Sequence, residues 1–210
     1  MKLYTAAQAP NPRRVRIFMA EKGLSIPTVE INVLEEENLS EEFRAVNPRG
    51  LVPVLELDDG TTIDESVAIC QYLEDLHPEP NLMGRDPLGK AIICSWQRHV
   101  EFDGYQAVAA VFRNSFPFFK SRAVPGLPAE FPAIPELVDR GRRQYGHFLE
   151  ALNTRLGDSN YIAGPDFSIT DITGLVAIDF GRRVEMDIPG GHTHTRRWYE
   201  RVAGRPSAGA

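Results

Sequence analysis

Residues 28–33, Thr-Val-Glu-Ile-Asn-Val, alternate polar and apolar positions with the period of a half-buried strand, and residues 2–5 begin another. Between them Val15, Ile17, Phe18 and Leu24 mark a helix that runs from Arg13 and stops at Gly23, where glycine suits a left-handed cap. Pro12 fits the first turn of that helix, because its missing amide would have been unpaired there. Strand, helix, strand makes a βαβ unit with parallel strands. A short helix follows over residues 39–46, with Glu41, Glu42 and Arg44 on its wet side. Residues 54–57 and 61–63 form a hairpin around Asp58-Asp59-Gly60, and a helix over residues 64–76 completes the unit.

The pattern changes after residue 78. Three prolines and a glycine within residues 77–87 read as a linker, which divides the chain into domains at 1–78 and 88–210, with 79–87 between them. Residues 88–113 read as one long helix bearing Ile92, Ile93, Trp96, Val100, Tyr105, Val108 and Val111, broken by Phe116-Pro117-Phe118-Phe119. A proline-rich connection over 124–135 is either functional or a surface spacer. Residues 136–156 are helical, with Leu137, Tyr145, Phe148, Leu149 and Leu152 inward and Arg140, Arg142 and Arg143 outward. Ser168 and Asp171 have the spacing of a capping box, and Phe167 and Ile172 that of a hydrophobic staple, ahead of a helix apolar nearly all round. A last helix starts at Arg196-Arg197-Trp198-Tyr199 and stops near Gly204.

Charge and composition narrow the function. A net charge of −6 over 210 residues argues against nucleic-acid binding, which needs a basic face. No apolar run is long enough to span a bilayer, and Met1-Lys2-Leu3-Tyr4 leads straight into a strand, so no membrane association is expected and the expected location is the cytoplasm. The two cysteines, Cys70 and Cys94, lie in apolar helical patterns and read as buried structural thiols. His192 and His194 lack nearby third and fourth ligands, so no metal site is expected.

The candidate chemistry centres on Leu51-Val52-Pro53-Val54 and Asp64-Glu65-Ser66. Proline cannot donate to a sheet ladder, so Pro53 marks an edge, a bulge or a cis bond; a cis bond would turn the Val52 amide and carbonyl toward an extended peptide. Unpaired amides at the start of the helix after Asp64-Glu65, with the Ser66 hydroxyl, would attract an anion. The residues alone therefore indicate an anionic peptide. Val-Pro, a hairpin and Glu-Ser at a helix start also resemble the glutathione-binding half of the soluble glutathione transferases. The ending, a tryptophan-containing helix followed by Arg205-Pro206-Ser207, resembles that family too. The resemblance implies an α/β thioredoxin-like N-terminal domain, an all-α C-terminal domain, glutathione as co-substrate and a homodimer. It gives Val52 and Pro53 the cysteinyl backbone and Glu65 and Ser66 the γ-glutamyl end. Leu51 stands where relatives offer glutamine or lysine to the glycyl end, with Asn38 and Arg49 as substitutes.

The thiol would sit at the loop after the first strand. Classes with serine or cysteine in that loop have it where this chain has Ala9, which can neither donate to sulfur nor attack. Tyr4 reads as packing. Asn11 is the candidate activator, through its side-chain amide at a helix N-terminus, and it also reads as a helix N-cap; Pro10-Asn11 resembles the Nu-like bacterial class. Thr5 and Gln8 are further donors in the loop. Tyr105, Phe112 and Arg113, with Phe116 and Phe119, are the candidate acceptor pocket. Three functions follow: transfer of glutathione to a hydrophobic electrophile, glutathione-dependent reduction of disulfides or peroxides without protein cysteines, or non-catalytic, ligandin-like binding.

Overall fold

The computed structural model describes residues 1–210 except Pro128, so the part of the proline-rich connection at that position lies outside the described residues. Strands β1 (Lys2–Thr5), β2 (Thr28–Glu30), β3 (Val54–Glu56) and β4 (Thr62–Asp64) form a sheet of order β2-β1-β3-β4. β1 and β2 are parallel, and the β3–β4 hairpin pairs antiparallel to β1 through β3. α1 (Pro10–Glu21) and α3 (Ser66–Leu76) put Val15, Phe18, Ile69 and Leu73 into a core with Leu3 and Leu55. On the other face Tyr4, Ile31, Phe43 and Val54 bury a smaller cluster beneath α2 (Glu41–Val46).

Several boundaries differ from expectation, each for a local reason. α1 starts at Pro10, because prolines at both the first and third helical positions are compatible with an earlier start. Its N-cap is therefore Ala9, and Asn11 is not the cap. β2 is three residues long. The 39–46 helix is a 3₁₀ turn, Glu37–Leu39, then α2, whose cap is Ser40, accepting from the Phe43 amide at 3.2 Å. α3 begins at Ser66 rather than Asp64, since Glu65 takes φ +66°.

The second half is helical: α4 (Pro87–His99), a π-helical stretch Val100–Tyr105, α5 (Gln106–Ser115), α6 (Pro135–Arg155), α7 (Ile169–Arg182) and α8 (Thr193–Ala203). The long helix of residues 88–113 thus contains a widened turn, which shifts the phase of its apolar stripe. Cys94, expected to be buried, is exposed on α4, where Gln97 is the buried residue; Cys70 is buried, and burial pushes its thiol up to about 12. On α6 it is Val138, not Leu137, that packs on the core. α7 is buried from Ile169 to Ile178. Asp171 closes its capping box and also accepts from the Trp198 indole at 2.8 Å, which ties α8 to the start of α7.

Candidate active site

The turn between β1 and α1 is fixed from three sides. The Arg16 guanidinium donates to Thr5 Oγ1 at 3.0 Å and to the Ala7 carbonyl at 3.1 Å. Glu30 accepts from the Ala7 amide at 2.6 Å, and Arg183 reaches across to the Gln8 carbonyl at 2.7 Å. Thr5 is thus held under Arg16, and Tyr4 donates to Glu56 at 2.8 Å while its ring packs edge-on against Phe43. The Tyr4 hydroxyl is thus spent on Glu56, whereas Thr5 Oγ1 accepts from Arg16 and gives its own hydrogen to no protein acceptor among the described residues. In the first turn of α1, Pro10 and Pro12 carry no N–H and the Arg13 amide donates to the Ala9 carbonyl at 3.3 Å. Asn11 alone there keeps an amide without a protein acceptor among the described residues, and its side chain is half-buried and equally uncommitted.

Next to this turn, the Val52–Pro53 peptide is cis and lies just before β3. Among the described residues nothing hydrogen-bonds to the Val52 backbone, which lies two residues before the point where Val54 pairs with Tyr4 and Asp64. Glu65 follows β4 with φ +66°, a region that a side chain with a Cβ seldom occupies and that clusters at functional sites. That kink aims the N-terminus of α3 and buries Ser66 to 3% exposure. The Ser66 hydroxyl accepts from Arg14 Nη1 at 2.8 Å, and the same nitrogen donates to Glu101 Oε1 at 2.9 Å.

The two residues expected at the glycyl end, Arg49 and Asn38, each have protein partners. Arg49 Nη1 donates to Glu65 at 2.6 Å and to Asp64 at 3.0 Å, on the side of the Glu65-Ser66 turn. Asn38 spends its amide on the Gly50 carbonyl at 2.8 Å and so shapes the segment that carries Leu51. That segment is covered by the long loop between α5 and α6. Arg122 of the loop pairs with Glu36 at 2.6 Å. Gly126, at φ +76°, lies so close that an added Cβ would be 2.2 Å from the Arg49 carbonyl oxygen and 2.9 Å from Leu51 Cδ2.

The three acceptor-pocket candidates are joined through shared rings, Tyr105 and Phe112 through Phe180 and Phe112 and Arg113 through Phe119. Tyr105 is buried, its hydroxyl pushed up to about 12 chiefly by burial, with its ring 5.6 Å from Phe180 and 5.4 Å from the Arg14 guanidinium. Phe112 stands in an aromatic group with Phe116, Phe119 and Phe180, at centroid distances of 4.8, 5.2 and 5.0 Å. Arg113 stacks 4.2 Å over Phe119 and has no carboxylate partner among the described residues; burial lowers its guanidinium below the usual range. Arg14 and Glu101 escaped the sequence reading. The signal for Arg14 was an arginine beside Val15 and one turn before Phe18, on the face that enters the core.

Glutathione S-transferase, N-terminal domain, matches residues 3–81, and Glutathione S-transferase, C-terminal domain, matches residues 111–206. The chain belongs to the glutathione S-transferase family. It is 36% identical to Glutathione S-transferase 2 of Saccharomyces cerevisiae over 211 residues, covering 99% of this chain and 87% of that one. The crystal structure of Gtt2 from Saccharomyces cerevisiae superposes with a TM-score of 0.90 at 34% identity, over 100% of this chain and 99% of that one. A glutathione S-transferase domain-containing protein of Marinobacter aquaeolei VT8 gives a TM-score of 0.90 at 34% identity, covering 99% of each chain. The thioredoxin-like sheet followed by a helical half is therefore the family's fold.

Proposed function

We propose that this glutathione transferase pairs the glutathione backbone with Val52, before Pro53, and holds the γ-glutamyl end at Glu65 and Ser66. The thiol then lies at Asn11 for attack on a hydrophobic electrophile. Residues 1–78 bind glutathione and residues 88–210 supply the acceptor side, with 79–87 as the linker. The observation that carries this reading is the unpartnered Val52 backbone beside the amides and hydroxyl at the start of α3. An extended peptide ending in a carboxylate satisfies both at once.

Sulfur activation falls to Asn11 because Ala9 has no side-chain donor. Its free amide and side-chain NH₂ together present donors at the positive end of α1, which favours thiolate over thiol. The acceptor sits against Phe112, Phe116 and Phe119, with Arg113 ready for an electron-rich or anionic substituent. Glutathione is the co-substrate, and the reading makes the protein a cytoplasmic, homodimeric detoxification enzyme. The absence of a hydroxyl at Ala9 favours one second reading, reduction of disulfides in which glutathione supplies both reacting sulfurs.

One set of assays decides. Glutathione affinity is measured first, then conjugation of a chlorodinitrobenzene-type acceptor, then reduction of a hydroxyethyl-disulfide-type substrate. Conjugation supports the transferase reading, reduction alone the second, and binding without turnover a ligandin-like protein. Ser66→Ala should weaken glutathione binding by about 1.5–3 kcal/mol, the value of a hydrogen bond to a charged group. An unchanged affinity overturns the placement of the γ-glutamyl end.

A further inference from the structure

We propose that Arg14 is a positioning residue for glutathione, fixing the Ser66 hydroxyl as a donor toward the bound peptide and linking that setting to the helical half through Glu101. The inference rests on the glutathione reading given above and adds to it a buried support that none of the peptide-contacting residues provides.

A serine hydroxyl has a single hydrogen, and Ser66 Oγ already accepts from Arg14 Nη1 at 2.8 Å. No protein acceptor takes the Ser66 hydrogen among the described residues, so that hydrogen is left for an acceptor in the site. Arg14 occupies one of the two Ser66 lone pairs and, having only donors, cannot take the hydroxyl hydrogen, so the hydrogen turns away from Arg14 toward the site. For a carboxylate ligand only the donating state attracts.

Arg14 is itself held by groups from the other half of the chain. Its Nη1 donates to Glu101 Oε1 at 2.9 Å, and the other oxygen of Glu101 accepts from Arg98 at 2.9 Å. The Tyr105 ring lies 5.4 Å from the guanidinium. Glu101 and Tyr105 both belong to the π-helical stretch Val100–Tyr105, a local departure from α geometry of the kind concentrated at functional sites. The Arg14 side chain is 3% exposed, yet its Nε and Nη2 are buried without a hydrogen-bond partner. Unpaired buried donors cost stability, and a core built for stability alone would satisfy or omit them. Arg14 also lies one turn beyond Asn11 on α1, so a single helix serves both the thiol and the γ-glutamyl end.

The test is a double-substitution cycle read by calorimetric titration of glutathione into the full chain. Arg14→Met should raise Kd by about tenfold, as expected when the support of a charge-assisted hydrogen bond is removed. In the Ser66→Ala background the same change should cost under about threefold, because the hydroxyl it orients is gone. Arg14→Lys should recover part of the loss, and the acceptor's KM at saturating glutathione should stay within about twofold. Losses that multiply in the double variant, or a normal Kd with only a lowered Tm, overturn the proposal. Where Arg14→Met does not fold, Glu101→Gln replaces it in the cycle, with the same non-multiplying outcome expected and the multiplying one fatal. A wild-type chain that binds no glutathione overturns the site reading itself. Binding with multiplying losses overturns only the role of Arg14.

Discussion

At Asp171 a buried carboxylate accepts four hydrogen bonds: from the Ile162 amide, the Trp198 indole, and the Ser168 amide and hydroxyl. Burial outweighs these donors and pushes its pKa up to about 6, from 3.8. A carboxyl that holds its proton more tightly folded than unfolded stabilises the fold below the unfolded value. That contribution is lost as pH rises from 3.8 to about 6. The loss corresponds to about 3 kcal/mol at about 1.4 kcal/mol per unit. Asp171→Asn should therefore lower Tm, with the gap to wild type widest near pH 4 and narrowing toward pH 6.5. A gap that widens with rising pH would refute this role for burial. Asp171 was legible in the sequence because a capping box spans four positions. Asn11 was half-legible: its loop was identified, but a helix accepting proline at two first-turn positions starts earlier, and the cap passed to Ala9.

Among the elements, the π-helical stretch and the α5–α6 loop are the two from the helical half that touch the residues of the proposed site, the first at Arg14 and the second at Arg49 and Leu51. The first left a mark in the sequence: Val100 and Tyr105 are five apart where an α-helical stripe would place its next buried residue at three or four. Reading that run as one regular helix gave no reason for Glu101 and Tyr105 to face the same partner, Arg14. The loop left a mark only in its prolines. Its contact with Arg49, Gly50 and Leu51 joins segments far apart in the chain, and its own pairing, Ala123 to Phe131 at 2.9 Å and Phe131 to Ser121 at 2.7 Å, follows no periodic pattern. Gly126→Ala would put a methyl 2.2 Å from the Arg49 carbonyl and forbid the close approach at φ +76°. The loop should lift from the strand edge. We expect KM for glutathione to rise about threefold to tenfold, about 0.7–1.4 kcal/mol, while Tm moves by under about 2 °C because the segment is superficial. Faster proteolysis within residues 116–134 should accompany the change. Unaltered KM with unaltered proteolysis would show that the loop does not close the site.

Across the whole molecule, the order of strands and helices was readable because each element has its own period, whereas the pairings that join the halves were not. Arg13 to Asp179 at 2.6 Å and Arg205 to Glu21 at 2.7 Å link residues more than 160 positions apart, which no local pattern encodes. The assembly state lies at this scale as well. Leu76, Leu88, Ile92 and Phe102 are exposed at 48%, 70%, 40% and 53% on α3, α4 and the π-helical stretch. Beside them a cleft of about 810 Å³ between α4 and α6 is floored by Trp96, Phe148 and Leu152 and edged by Asp103, Asp139, Arg140 and Arg143. Exposed apolar residues bordered by both signs of charge suit a two-fold interface, since each charge can meet its opposite on the second copy. Sedimentation velocity should show a species of twice the protomer mass at micromolar concentration. Phe102→Glu places a carboxylate where the Arg98 guanidinium now lies 4.3 Å over the ring, inside the proposed contact. It should weaken association by about 2–4 kcal/mol, a typical loss for a central aromatic anchor, and shift the boundary to protomer. Its far-ultraviolet spectrum should not change, because the side chain it replaces is more than half exposed. A wild-type chain that sediments as protomer up to about 100 µM, where interfaces of ordinary size are saturated, would rule out the dimer.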